Sequence, residues 1–275
     1  MYIIKDKETE NTIEAYDLEG KLKGEAIICP FQAADIHETA RMNIYFDIKV
    51  NEVEDKVNIK DQLFEEVMKR SRAIRENYKD MAVKVYHCCF SNDIENIEYY
   101  SKKEGFQNDE GMYIIKKVLT GQDLVSVPSL KDIEFCKLYF EDEQELRELV
   151  EEQCKVFIRG YSVNDLIQIK SDYHQWFSIA AKHDGKIVAN LLMIIKKDET
   201  GLPYGWVDDL FVAKDWRGLG IAKNLILLAY KELIILGIHE SRLEVWSDNK
   251  KALTLYESLG YKFYEQTESS IGMYI

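Results

Sequence analysis

The sequence predicts a mixed α/β (α+β) protein made of two similar halves. The first observation is a set of motifs that recur in one order. Gly111-Met112-Tyr113-Ile114 returns as Gly272-Met273-Tyr274-Ile275, and Ser91-Asn92 as Asp248-Asn249. Glu19-Gly20-Lys21-Leu22 returns as Asp184-Gly185-Lys186-Ile187, and Asp47-Ile48-Lys49-Val50 as Asp209-Leu210-Phe211-Val212. One such match would be chance; four in order, with separations drifting only between 157 and 165 residues, argue for duplication. The second observation is a shared order of strand-like and helix-like runs in both halves.

The first half starts at a hairpin, 12–18 and 21–29. Strand 43–50, helix 59–75, strand 81–89, helix 94–103 and strand 112–118 follow, so the half lacks a leading strand and leading helices. The second half opens with alternating residues 133–140, then helical runs 141–158 and 163–171. Strands 175–182 and 186–196 form a hairpin turned at Asp184-Gly185, the strongest short turn signal in the chain. Strand 206–212 leads to helix 219–236, closed by Gly237. Strand 242–246, helix 249–259 closed by Gly260, and two short strands complete it. Gly121, Ser126, Pro128 and Ser129 interrupt the pattern, placing one domain at 1–125 and the other at 130–275.

Composition bounds the function classes. The chain has 275 residues, 46% hydrophobic and 31% charged, with only 3 prolines and 14 glycines, as expected of globular domains with sizeable cores. A formal net charge of −13 argues against nucleic acid or an anionic membrane as partner. It mildly favours a cationic acceptor such as an amine, although solubility alone explains it well. The five cysteines, Cys29, Cys88, Cys89, Cys136 and Cys154, show no C-x-x-C spacing, so neither a disulfide framework nor a zinc site is expected. The five histidines, 37, 87, 174, 183 and 239, show no ligand spacing, and no metal is expected. The first residues run straight into charges and give no signal peptide, so a cytoplasmic setting is the default expectation.

The chemistry concentrates after strand 206–212. Ala213-Lys214-Asp215-Trp216 turns the chain, and Arg217-Gly218-Leu219-Gly220-Ile221-Ala222 opens a helix. Glycines let a backbone approach an anion closely, and the free N–H groups of a first helical turn point at it. Arg217 adds a positive charge and Ala222 leaves room, which suits a pyrophosphate. In isolation an ordinary tight turn would read the same way. A dinucleotide fingerprint would need a third glycine in the first strand–helix unit, and the Walker lysine–serine pair is absent.

Three segments together resemble the GNAT superfamily of acetyl-CoA-dependent N-acetyltransferases. Arg217, Gly220 and Ala222 fill its Gln/Arg-x-x-Gly-x-Gly/Ala motif. Val207-Asp208-Asp209-Leu210-Phe211-Val212 is similar to its splayed strand, and the run from Asn249 through Tyr256 to Gly260-Tyr261 to its last helix and strand. The resemblance covers roughly 133–275 and implies two GNAT-like domains in tandem, each a mostly antiparallel mixed sheet with flanking helices and a splayed central strand. It implies acetyl-CoA as co-substrate, with backbone groups of Leu210, Phe211 and Val212 along the pantetheine arm. Gly218, Leu219, Gly220, Ile221, Ala222 and Lys223, with Arg217, would hold the pyrophosphate. Asn249 would contact CoA, and Tyr256, seven residues on and on the same helical face, would protonate the leaving thiolate. Asp208 and Asp209, adjacent on a strand and so expected on opposite faces, supply a carboxylate to bind an acceptor ammonium or take its proton.

The aligned turn of the first half departs from the motif. Asp55, Asn58 and Lys60 stand where Arg217, Gly220 and Ala222 do, and 49–62 contains no glycine. A degenerate copy that does not bind CoA is expected. The expected activity is acetyl transfer from acetyl-CoA to a primary amine of a small molecule or peptide by direct attack. A homo-oligomer stays open. The alternatives are a non-catalytic CoA-sensing or scaffold protein, and an acyltransferase with another donor or acceptor.

Overall fold

The computed structural model describes residues 2–6, 11–32, 40–51, 54–157 and 160–275. They form two compact units: residues 1–112 with 246–250 and 266–275, and residues 113–245 with 251–265. The strand and helix pattern expected from sequence is present, with two differences at the ends. A leading strand precedes the first hairpin, and the last two short strands are one long one.

In the first unit, β1 (Ile3–Asp6), β2 (Thr12–Tyr16), β3 (Leu22–Gln32) and β4 (Arg41–Val50) pair antiparallel in succession. β4 then pairs parallel with β5 (Ala82–Phe90), which pairs antiparallel with the end of β12 (Lys262–Tyr274). The start of β6 (Gln107–Val118) is next in order. Helix α1 (Lys56–Arg75) buries Ile59, Leu63, Val67 and Met68 against the sheet, and the shorter α2 (Ile94–Ser101) buries Tyr100. Their spacing is that of a helix with one apolar stripe.

In the second unit the sheet order is β6, β11 (Glu240–Trp246), β10 (Pro203–Val212), β9 (Lys186–Lys197), β8 (Trp176–His183) and β7 (Glu134–Leu138). The β8–β9 hairpin turns at Asp184 and Gly185, with φ of +47° and +79°, the left-handed pair that an Asp-Gly turn accommodates. Helix α5 (Ile221–Ile235) is apolar nearly all round because most of its faces meet protein. Leu225, Ile226, Tyr230 and Leu233 are buried with strand residues Leu191, Met193 and Val207. Helices α3 (Glu143–Cys154) and α4 (Val163–Asp172), capped by Asp142 and Ser162, form another apolar cluster with Phe140, Leu192 and Phe211. Helix α6 (Lys250–Ser258) precedes β12.

The unit boundaries fall inside β6 and β12, at the end of β11 and at the start of α6, and the stretch 121–130 lies within the second unit. The strand that ends the second repeat, 268–274, pairs with β5 of the first unit. The strand that ends the first repeat, 113–118, belongs with the second unit, beside β11. Each unit's sheet is therefore completed by a strand from the other repeat. The recurring Gly-Met-Tyr-Ile motif has a physical reason here. A Cβ on Gly111 would collide with the Glu268 carbonyl oxygen, and one on Gly272 with the Val85 carbonyl oxygen.

Charge is buried in the first unit as well. The Arg41 guanidinium makes a two-pronged bond to Glu110, at 2.8 and 2.9 Å, and Lys84, fully buried, reaches Glu110 and Asp109 at 2.8 Å each. Burial opposes ionisation of Glu110, but these two cations hold its pKa down to about 2, so the cluster stays charged and paired.

Candidate functional site

The second unit contains the splayed strand. β10 pairs with β9 along its length, from Pro203 to Val212, but with β11 only at Gly205, Trp206 and Val207. Among the described residues the register with β11 stops at Val207, so the two strands part over the second half of β10. Phe211 points into the core and is buried.

β10 ends in a single 3-10 turn, Lys214–Trp216, and the chain enters the glycine loop. Gly218 and Gly220 adopt φ of +77° and +85°, a region an L side chain rarely occupies. Nothing lies within 4 Å of where a Cβ would stand on either, so the loop is open above its backbone. Gly220 caps α5. The first helical bond runs from Asn224 N–H to Gly220 O at 3.0 Å, so the N–H groups of Ile221, Ala222 and Lys223 point out of the helix end. No acidic residue occupies that first turn. Arg217 is exposed and donates from Nε to the Val212 carbonyl at 3.1 Å, which fastens it to the end of the splayed strand. Leu219 is exposed and Ile221 buried. An open glycine cradle, an unopposed helix N-terminus and a nearby cation fit a pyrophosphate.

Tyr256 lies on α6 and is 8% exposed, packed edge-on against Tyr261 at 5.6 Å. Burial pushes its phenol above the ordinary tyrosine range, with the Tyr261 ring and the Asp209 carboxylate adding to the rise. It keeps its proton at neutral pH. Asn249 immediately precedes α6, and its N–H bonds the Trp246 carbonyl at 2.9 Å; it groups with the first unit, not with the loop and Tyr256.

Asp208 and Asp209 do not face opposite ways as simple alternation predicts. A β-bulge lies at Asp208 in the ladder: Val207 pairs with Met193 and Asp209 with Leu192, leaving Asp208 as the extra residue. Both carboxylates are consequently reached from one segment, the end of α3 and the residues before α4. The Tyr161 O–H donates to Asp208, the Gln153 side chain bonds Asp209, and the Tyr161 N–H donates to Gln153 Oε1 at 2.7 Å. Burial raises the Asp209 pKa to about 7, the neighbouring Asp208 charge raises it further, and the bonds from Gln153 and the Leu210 N–H hold it back. Gln153 and Tyr161 carried no signal in the sequence, because nothing in their spacing shows that α3 ends against the bulge.

A separate surface hollow of about 580 Å³, lined by Phe140, Leu146, Arg147, Ser162, Val163 and Ile167 among others, contains none of these residues. Among the described residues no cluster of acidic, histidine or cysteine side chains could hold a metal ion, and no helix is long and apolar enough to cross a membrane. His37 lies outside the described residues.

A mixed sheet with one splayed strand, and a glycine loop opening a helix at its end, are the features that the sequence resemblance implies for a GNAT fold. Residues 134–261 match the acetyltransferase (GNAT) family. Two curated relatives are similar. The N-alpha-acetyltransferase MAK3 of Arabidopsis thaliana is 37% identical over 81 residues, 30% of this chain and 42% of that protein. The mycothiol acetyltransferase of Nocardiopsis dassonvillei is 30% identical over 113 residues, 38% of this chain and 34% of that protein. The chain thus spans less than half the length of either. A GCN5-related N-acetyltransferase structure from Sphaerobacter thermophilus shares the fold over 98% of this chain and 82% of that one, at 14% identity and a TM-score of 0.51. Residues 134–261 thus belong with the GNAT family, and nearly the whole chain shares its fold with a GCN5-related N-acetyltransferase.

Proposed function

We propose that the second unit is an acetyl-CoA-dependent N-acetyltransferase acting on a primary amine of a small molecule or peptide. The observation that carries this is the open, positive-φ pair Gly218 and Gly220 at the free N-terminus of α5, directly after the splayed end of β10.

The loop residues Arg217 to Lys223 would hold the pyrophosphate through backbone N–H groups and one cation. Peptide groups along Leu210, Phe211 and Val212 would line the pantetheine arm. The co-substrate supplies an acetyl thioester when bound. A backbone N–H on the splayed strand would stabilise charge on the carbonyl oxygen. The acidic pair takes one proton from the acceptor ammonium, leaving a neutral amine to attack. Tyr256 donates its proton to the departing sulfur and recovers one from the nitrogen of the new amide, so the bookkeeping closes with amide, free thiol and one released proton. The two curated relatives are acetyltransferases, one named for N-alpha and one for mycothiol substrates, which supports the reaction class but not a particular acceptor.

The first unit, on this reading, holds no CoA. Its turn lacks glycine, and Asp55 there accepts bonds from the Tyr2 O–H at 2.7 Å and Asn58 at 3.0 Å. The test is CoA-thiol release with acetyl-CoA and a panel of amines, amino acids and amino sugars. Release with at least one amine, lost in Gly220→Asp, supports the reading. Acetyl-CoA binding without release from any amine would favour the CoA-sensing alternative.

A further inference from the structure

The bulge in β10 presents two adjacent carboxylates to a single short segment, and that segment treats them differently. Asp208 receives the Tyr161 phenol O–H. Asp209 receives the Gln153 amide and the Leu210 backbone N–H, and it lies near the buried Tyr256. Gln153 is 4% exposed and held on both sides: its Oε1 accepts the Tyr161 N–H at 2.7 Å, and its own backbone carbonyl accepts from Val156 and Phe157 at 2.9 Å each. Gly160 makes the arrangement possible, because a Cβ there would stand 3.0 Å from Gln153 Oε1 and 2.9 Å from Cys154 Sγ. Gln153 therefore links the two bonds, meeting Asp209 while its Oε1 holds the Tyr161 N–H.

We propose that Tyr161 is a positioning residue that divides the labour of the pair: its O–H occupies Asp208, and Asp209, anchored by Gln153, is the carboxylate left to take the proton from the acceptor ammonium. This rests on amine acetylation at this site and sharpens it, since the acceptor must then be a protonated amine delivered to Asp209.

The surroundings agree with that division. The groups that bear on Asp209 are Asp208 and the Leu210 N–H on its own strand, Gln153 from α3, Tyr256 from α6, and Tyr161, which bonds Asp208 and also lies within electrostatic reach of Asp209. Asp208 has Tyr161 as its donor and lies within electrostatic reach of Lys196 on β9, itself set over the Trp206 ring at 4.4 Å and near Glu244 on β11. Asp208 thus has a donor and a cation nearby. Asp209 has neutral donors only, and burial leaves it near neutrality, where a proton can be taken and given back. In the step itself the ammonium N–H bond breaks, the proton goes to the Asp209 carboxylate, and the nitrogen keeps the electron pair with which it attacks.

Because Tyr161 acts through Asp208, the two must behave as a unit. The test is a double-mutant cycle on Tyr161→Phe and Asp208→Asn, read as the midpoint of Asp209 by ¹³C carboxylate titration, with folding checked by circular dichroism. Asp208→Asn removes a like charge and should lower the Asp209 midpoint by roughly half a pH unit or more. Tyr161→Phe removes the donor that offsets the Asp208 charge and should raise it by a similar amount, with that effect cut to less than half when Asp208 is already Asn, since only the weaker direct influence of Tyr161 on Asp209 remains. Independent effects of the two substitutions, or a midpoint that Tyr161→Phe leaves unmoved, overturn the proposal. The titration needs no turnover. A wild type that behaves as expected here but acetylates no amine would sink the catalytic reading while sparing the coupling between the residues.

Discussion

The same splay occurs in both units, and only one leaves it open. In the first unit β4 pairs with β5 from Arg41 to Tyr45 and then parts from it, as β10 parts from β11. There the gap is closed from within. His87 Nδ1 bonds the Phe46 carbonyl at 2.8 Å, and Phe64, Tyr100 and Phe106 pack around the Phe46 ring. Where the second unit has Ala222 in its loop helix, the first has Lys60, its ammonium buried over the Tyr99 and Tyr100 rings at 3.9 and 4.6 Å and bonded to Asn96. Burial lowers the Lys60 pKa to about 8. On the proposed reading, the comparison teaches that a splay alone makes no binding site; the loop beside it must also carry short side chains and leave room for a ligand.

The comparison can be broken at its strongest point first. Gly220→Asp puts a carboxylate on a left-handed position where the pyrophosphate would rest, and it should weaken acetyl-CoA binding by well over tenfold, more than about 1.4 kcal/mol. Wild-type affinity by calorimetry in a folded variant would mean the loop is an ordinary turn. The same titration on the unaltered protein should give one acetyl-CoA per chain; two equivalent sites would erase the distinction between the units.

Next in size is Tyr256→Phe, which keeps the ring and removes the proton. Turnover should fall roughly tenfold or more while CoA affinity holds. Unchanged turnover under conditions where chemistry limits the rate would leave Tyr256 a packing residue.

Asp209 sharpens the same side. As a base it works only when ionised, so kcat/KM should rise with pH through about 7 and lose that limb in Asp209→Asn. The stability sign is opposite. A carboxyl whose folded pKa lies above its unfolded value near 3.8 costs stability as pH climbs through about 7, so Asp209→Asn should raise Tm above that pH and not at pH 4.

The smallest expected effect tests the closed splay. His87→Phe removes the ring nitrogen that satisfies the Phe46 carbonyl and should cost about 1–3 kcal/mol of stability. The acetyl-CoA stoichiometry and affinity should not move. A second CoA site opening in this variant would show that plugging, rather than the missing loop glycines, is what keeps the first unit empty.

Much of this was legible in the residues. The Asp184-Gly185 turn, the helix closed by Gly237 and the repeat with its degenerate turn are local or periodic signals. Local chemistry set them: left-handed φ at glycine, one apolar stripe per helix, and the loss of a cation at Asp55. Sequence determined the superfamily fold, the loop and the location of Tyr256. What it could not determine depends on residues far apart in the chain. Strand ownership was one such feature, since 113–118 and 268–274 each carry a strand-like pattern that any open edge would accept. The bulge at Asp208 was another, because alternation assumes an unbroken ladder, and only the register against Met193 and Leu192 shows where it breaks. Tertiary structure alone then brought Tyr161 and Gln153 to the two aspartates and closed the first unit's splay with His87, since each of those bonds joins groups that share neither a helix face nor a strand.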